Sequence, residues 1–138
     1  MPVCGPGAVH QRRFAMLSAA LIVLLIAVLF GSWLAVLHFD GRPPERAPWP
    51  LALVHAGLAL GGFVLLAVGL RGPARGVDQG MAGFGLTAAG LLAGAIALGL
   101  GIFIRFRLRK KGANALVGVH AVLAVSAIVI LAAYVISG

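Results

Sequence analysis

The sequence predicts an all-α integral membrane protein, a four-helix up-down bundle built from a duplicated helical hairpin, forming a single domain over residues 1–138. Composition is the first observation: 62% of the residues are hydrophobic and 10% are charged, against about 25% charged in a soluble domain. The second is four apolar runs, each near the roughly 20 residues that a helix needs to cross a bilayer. A transmembrane β-barrel would instead show alternating segments of about 10 residues.

The first helix is predicted at 14–38. Arg12 and Arg13 precede it, as basic residues precede the apolar region of a signal peptide. That region is about 7–15 residues long, and this run is much longer, so we expect a retained helix. The prolines of residues 39–48 predict a stiff, extended loop.

The other helices are predicted at 49–70, 81–104 and 115–136. Trp49 suits the membrane interface, and Pro50 suits the first turn of a helix. Glycine and alanine residues throughout helix three allow neighbouring backbones to approach closely, which favours helix association in lipid. This helix is therefore a candidate surface for hetero-oligomer formation. Short loops make consecutive helices antiparallel.

The formal net charge of +8 has its basic residues at the ends of the apolar runs. Contact with the lipid bilayer explains this distribution better than nucleic-acid binding does, and we expect no nucleic-acid partner. Loops one and three carry 7 Lys/Arg, whereas the N-terminal tail and loop two carry 4. The positive-inside rule then places loops one and three in the cytoplasm, in a multi-pass protein of the cell inner (cytoplasmic) membrane.

A histidine recurs at the same place in helices two and four. The stretch Leu53–Ala59 reads LVHAGLA, and Gly118–Ala124 reads GVHAVLA, so that His55 aligns with His120 at an offset of 65. Counted along the helices, both lie roughly 8–9 Å below the same membrane face. A pseudo-twofold axis along the membrane normal would bring them to one level.

Two interpretations of this histidine pair remain open. Neutral imidazole is a ligand for haem iron and transition metals, so the two rings could share one metal, with haem b as the cofactor. Alternatively, each histidine bonds a carbonyl or hydroxyl group of a neighbouring helix. The positions four and seven residues after each histidine are small, which predicts either a cleft for a flat macrocycle or tight helix packing. They are Ala59, Gly62, Ala124 and Ala127.

Other polar residues are weaker candidates. His38 ends helix one on the same face, as an interfacial histidine or one beside a cofactor, and His10 lies in the tail with no specific role expected. The basic cluster that begins at Arg105 acts as a topology signal contacting lipid phosphates, or supplies Arg105 to pair with haem propionates. Cys4 is the only cysteine, so an unpaired N-terminal thiol is expected.

A small membrane bundle with histidines facing each other from helices two and four resembles the b-type cytochromes of the cytochrome b561 class. Members of that class typically hold two haems with four histidines. This sequence has no histidine inside a predicted helix near the loop-two face. The resemblance therefore implies one haem with His55 and His120 as ligands. It also implies an electron carrier without catalytic residues of its own, serving a redox partner protein or quinone within a larger redox system.

The alternative function is a cofactor-free membrane scaffold or accessory subunit of a larger complex. Other four-helix membrane families fit less well. A small multidrug exporter would carry a membrane-embedded glutamate, but Asp40, Glu45 and Asp78 all lie outside the apolar runs. A quinone-linked disulfide oxidase needs paired cysteines, and the chain has one.

Overall fold

The computed structural model describes residues 6–40, 48–108 and 114–137. These residues form four α-helices and no strand, which confirms the predicted all-α four-helix fold class. The helices are α1 (Pro6–Phe39), α2 (Trp49–Gly69), α3 (Phe84–Arg107) and α4 (Asn114–Ile136). The predicted proline-rich loop one, the basic residues at 109–111 and Cys4 lie outside the described residues.

All four helices are long and apolar enough to cross a membrane. Their spanning parts contain 29, 21, 24 and 23 residues, with mean hydropathies between 2.1 and 2.8. At about 1.5 Å per residue, even the shortest covers about 31 Å, which matches a hydrocarbon core of about 30 Å. The chain is therefore a multi-pass membrane protein.

Helix α1 begins eight residues earlier than predicted, at Pro6 rather than at residue 14. Proline is favoured in the first turn of a helix, where its missing N–H is not needed. The extra turns contain Arg13, whose Nη2–H donates to the carbonyls of Gly69 (3.2 Å) and Pro73 (3.1 Å). These bonds satisfy a carbonyl left open at the end of α2 and hold α1 against loop two.

Helix α3 is displaced by three residues at both ends, from the predicted 81–104 to 84–107. Gly76 and Gly80 have positive φ angles of 62° and 71°, a backbone region that glycine enters without steric cost. They fold the chain into turns that delay the start of the helix. At the other end, Arg105 and Arg107 lie in the last helical turn and not in loop three as predicted, because cations are favourable at a helix C-terminus.

The four helices pack as two antiparallel hairpins. Helix α1 packs along α2 and α3 along α4, and both contacts are more extensive than those of α1 with α4 and of α2 with α3. The last two contacts close the bundle, which leaves α2 and α4 on one diagonal. This arrangement follows from the short distance along the chain between consecutive helices.

The buried side chains are concentrated at the loop-two end of the bundle. Three buried residues of α1 each have a buried counterpart on α3, 68 positions later in the sequence. Likewise, Leu66 of α2 and Leu131 of α4 are both buried and lie 65 positions apart. Both hairpins therefore contribute equivalent positions to one core, and the duplication extends to α1 and α3. The pairs on α1 and α3 are Ala20/Ala88, Leu24/Leu92 and Ala27/Ala95.

Contacts from loop two close this end of the bundle. The backbone N–H of Arg75 donates to the hydroxyl of Tyr134 on α4 (3.3 Å), and its guanidinium lies 5.3 Å from the ring centre of Phe14 on α1. Arg75 and Tyr134 are both buried. Loop two is thus joined to the first and last helices, which fixes how the two hairpins meet.

The opposite half of the bundle has no comparable core. Among the residues that the structure describes, none in 28–40, 49–61, 96–108 or 114–126 is buried. Lipid-facing residues are expected to be exposed, but here the inward-facing residues are also only partly covered. The described residues of this half, the open half of the bundle, are therefore exposed or only partly buried, and both histidines of the sequence repeat lie in it.

Candidate functional site

His55 on α2 and His120 on α4 meet across the diagonal of the bundle. Their ring centroids are 6.1 Å apart, and the ring planes are inclined at 73°. Both side chains are half-buried. The structure thus brings the two repeated histidines to one level with their rings facing each other, as their equal depth in the sequence predicts.

Each imidazole is held by a backbone carbonyl of the preceding helix. Nδ1–H of His55 donates to the carbonyl of Ala27 on α1, and Nδ1–H of His120 donates to the carbonyl of Ala95 on α3, both at 2.8 Å. A carbonyl oxygen can only accept, so the proton lies on Nδ1 in both rings. In a neutral imidazole, Nε2 then carries the lone pair.

This hydrogen bond is the one that usually orients a metal-ligating histidine, whose second ring nitrogen donates to a carbonyl or carboxylate. It also satisfies the packing interpretation, in which each histidine bonds a carbonyl on a neighbouring helix. What favours a ligand site is the combination of two such rings. Each has its donor nitrogen directed to its own hairpin, and the rings meet across the bundle.

The separation of the ring centroids is that of an ordinary edge-to-face aromatic pair, and it is also close to the value for two imidazoles on one metal ion. Metal–imidazole bonds of about 2 Å, with about 1.2 Å from nitrogen to ring centre on each side, would place collinear ligands with centroids about 6.4 Å apart. The observed value is 6.1 Å. Two imidazoles on one axis can rotate about it independently, so an angle of 73° between their planes is compatible with that geometry.

The composition of the site restricts the kind of metal centre. Within the described ranges, no group of three or more His, Cys, Asp or Glu side chains comes together. A structural zinc site takes four protein ligands and a catalytic one takes three, so a pair of histidines fits neither. A planar tetrapyrrole supplies four equatorial nitrogens itself and needs only two axial ligands, which matches this donor set.

The predicted cleft below the histidines is not fully present. A Cβ at Gly62 would lie 2.6 Å from Cγ of Leu24, so this glycine lets α2 pack tightly against α1. Ala127 is likewise buried in the core. At these two positions the structure shows tight helix packing, the other of the two interpretations, because the core extends to them. Ala59 and Ala124, the two positions nearer to the histidines, are half-buried.

Arg105 and His38 lie at the same end of the bundle as the histidine pair. Arg105 is half-buried, six residues beyond Gly99 on α3 and therefore about 9 Å further along the helix. Nε2–H of His38 donates to Oδ1 of Asn114 (2.9 Å), which joins the end of α1 to the start of α4. The side chain of His10 lies outside the described part of the chain.

Sequence reasoning missed the residues of α1 and α3 that hold the histidines. Ala27 and Gly31 recur as Ala95 and Gly99, in each case an alanine followed four residues later by a glycine. These pairs are 68 positions apart, whereas the histidines are 65 apart, so an alignment with one fixed offset hides them. An alignment with an offset of 68 for the first helix of each hairpin and 65 for the second would have identified the repeated alanine and glycine.

Comparison of the chain with protein families, with characterised proteins and with solved structures finds no match. The fold and the histidine pair are therefore the basis for assigning a function. Their geometry combines two inward-facing imidazoles of defined tautomer, a half of the bundle without a core, and a basic helix end nearby.

Proposed function

We propose that this chain is a membrane-embedded b-type cytochrome that carries electrons through one haem b held by His55 and His120. The observation that carries the proposal is the contact between the two imidazoles, 6.1 Å apart at their centroids and each tied through Nδ1 to its own hairpin. We further propose that it serves as a subunit or anchor of a larger redox system.

The distribution of packing supports this proposal. Side chains fill the bundle at the loop-two end, while the half that contains the histidines lacks a core of its own. A bundle with no cofactor would be expected to fill both halves, since packing is what holds helices together in lipid. An apolar macrocycle between the hairpins would complete the open half.

The ligand set determines the type of chemistry. A haem held by both histidines would leave no iron position free for oxygen and would supply one-electron transfer. The protein then contributes orientation through the carbonyls of Ala27 and Ala95, and Arg105 would pair with the propionates.

The position of the pair determines where electrons would be exchanged. His55 and His120 lie roughly 8–9 Å from the end of the bundle next to loops one and three. A redox partner protein or a quinone would therefore approach at this end. Because Lys/Arg are in excess on the same side, we propose that this end faces the cytoplasm, with the chain in the inner membrane of the cell.

The second candidate is a cofactor-free scaffold or accessory subunit. It is favoured by the tight interlocking of α1 and α2, where Gly62 lies against Leu24 and Gly69 against Leu17. Gly90 of α3 has open space where a side chain would stand, so another helix could pack closely there. Under this alternative, the histidines serve only to bond carbonyls.

Absorption spectroscopy of the full chain, purified after expression with sufficient haem, distinguishes the two candidates. The cytochrome is expected to show a Soret band and, after reduction, split α and β bands of a low-spin haem in about equimolar amount. A folded and colourless protein would exclude the cytochrome and leave the scaffold. Folding is checked independently by circular dichroism, since all four helices form without a cofactor in the scaffold alternative.

A further inference from the structure

Two glycines lie directly against the imidazoles, one in each hairpin. The carbonyl of Ala27 that accepts Nδ1–H of His55 is also the helical acceptor for the N–H of Gly31, because α-helical bonds run from residue i to i−4. The ring of His55 therefore rests on the surface of α1 at Gly31. A Cβ at Gly31 would lie 2.8 Å from Cε1 and 3.2 Å from Nδ1 of this ring.

The second hairpin repeats the arrangement. The carbonyl of Ala95 accepts Nδ1–H of His120, and a Cβ at Gly99 would lie 3.1 Å from Cε1 and 3.4 Å from Nδ1 of that ring. Optimal contacts between carbon atoms are about 3.5–4.0 Å. A methyl group would therefore displace either imidazole, with the stronger effect at Gly31.

Glycines elsewhere in α2, α3 and α4 do not make this contact. A Cβ at Gly57 or Gly61 of α2, at Gly101 of α3, or at Gly118 of α4 would meet no atom within 4 Å. Glycine is frequent in this chain, so its presence alone indicates nothing. Among the described glycines, close approach to an imidazole occurs at the two that follow the acceptor carbonyls by one turn.

We propose that Gly31 and Gly99 are positioning residues of the histidine site. Each glycine, together with the carbonyl one turn before it, forms an imidazole seat: the carbonyl fixes the proton on Nδ1, and the missing side chain lets the ring come close enough to the helix to form that bond. The ring atoms nearest to a Cβ at Gly31 are Cε1, Nδ1 and Nε2 (3.6 Å), so the Cε1 edge of the His55 ring faces α1. The inference rests on the proposed function only for what Nε2 would bind.

The seat is tested first without any cofactor. In haem-free protein with ¹⁵N-labelled histidine, NMR is expected to show His55 and His120 protonated on Nδ1. Gly31→Ala should shift the His55 signals and Gly99→Ala the His120 signals, because the displaced ring loses its bond to the carbonyl. Gly101→Ala is the matched control, on the same helix as Gly99 and with open space around it, and should shift neither.

The haem-loaded protein supplies the second measurement. Loss of a group that orients a metal-ligating histidine typically weakens metal binding about 10- to 100-fold. We expect a loss in this range for Gly31→Ala, a smaller one for Gly99→Ala, and none for Gly101→Ala, measured by haem titration and by the low-spin band. Unchanged NMR signals and unchanged haem affinity in both seat variants would overturn the inference.

A double-mutant comparison covers the case in which a seat variant fails to fold. If the ring is the obstacle, Gly99→Ala should be tolerated in a His120→Ala background, where no imidazole remains to be displaced. Failure to fold in both backgrounds would overturn the inference.

The two proposals can fail separately. A wild-type protein that binds no haem but shows the expected tautomers and shifts would end the cytochrome proposal and leave the seats intact. Normal haem binding in every glycine variant, with no NMR change, would overturn the role of the two glycines and leave the cytochrome proposal intact.

Discussion

At the scale of single residues, the site depends on which imidazole nitrogen carries the proton. In both rings Nδ1 donates to a helix carbonyl, and that carbonyl keeps its own helical bond because its oxygen has two lone pairs. Inside a bilayer an unsatisfied polar group costs several kcal/mol, since no water replaces the lost bond. The two tautomers are therefore strongly fixed, and Nε2 is the nitrogen available to a metal.

Removal of either ligand is expected to have the same effect. If haem is held as proposed, His55→Ala and His120→Ala should each abolish its low-spin spectrum or convert it to a high-spin one, because both imidazoles would be needed to hold it. His38→Ala should at most shift the redox potential, since His38 is bonded to Asn114. Absorption and electron paramagnetic resonance spectra measure these outcomes.

His10→Ala is the control for these substitutions and should leave the spectrum unchanged. A low-spin spectrum that survives the loss of either His55 or His120 would contradict the assignment of that residue as a ligand.

At the scale of elements, each hairpin is held together by small residues of one helix that accept large residues of the other. Leu24 of α1 fills the space at Gly62 of α2, and Leu17 fills the space at Gly69. Such contacts are how helices associate in lipid, where the hydrophobic effect gives no preference for a neighbouring helix over acyl chains. The same packing gives α1 and α2 a fixed register, which places Ala27 next to His55.

Adjacent glycines of α2 allow a matched test of this packing. Gly62→Ala adds a methyl group 2.6 Å from Cγ of Leu24 and should lower the free energy of unfolding by about 1–3 kcal/mol, the usual cost of overpacking. Gly61→Ala meets no atom within 4 Å and should be neutral or stabilising by up to about 1 kcal/mol. Unfolding in detergent, followed by circular dichroism, measures both. Equal effects of the two substitutions would argue against the interlocked packing.

At the scale of the whole molecule, the bundle has one filled half and one open half. The filled half contains the core and the contacts of loop two, while the open half contains the histidines and the ends next to loops one and three. We expect haem to protect the open half preferentially from hydrogen exchange, because a bound group stabilises the conformations that hold it. Residues 96–107 of α3 should gain more protection than residues 85–95.

Hydrogen exchange with and without haem, analysed by mass spectrometry, measures this difference. The His55→Ala/His120→Ala double variant, treated with haem in the same way, is the control for unspecific binding. Equal protection of both halves would contradict a cofactor in the open half.

Orientation in the membrane is predicted from charge alone. With 7 Lys/Arg on the side of loops one and three and 4 on the other side, loop three is expected in the cytoplasm. A phosphatase fused after Gly112 should therefore be inactive, and one fused after Asp78 in loop two should be active, because the enzyme works only in the periplasm. The reverse pattern would contradict the orientation.

The sequence by itself determined the four spanning helices and the common depth of His55 and His120. Both follow from the bilayer. It requires long apolar helices, and ionisable side chains within such helices are rare, so the two histidines are easily recognised in the sequence. Helix ends were predicted less well, as α1 and α3 show, because turn geometry at Gly76 and Gly80 and the proline at residue 6 set them locally.

Only the tertiary structure decided which groups hold the histidines and which half of the bundle contains the buried core. A backbone carbonyl is present at every residue, so nothing in the residue types identifies Ala27 or Ala95 as an acceptor. Gly31 and Gly99 are visible in the sequence, but the chain between each glycine and its histidine differs in length by three residues, which hides their equivalence. Their role follows from helix packing, because a contact between helices depends on register and on which residues face each other.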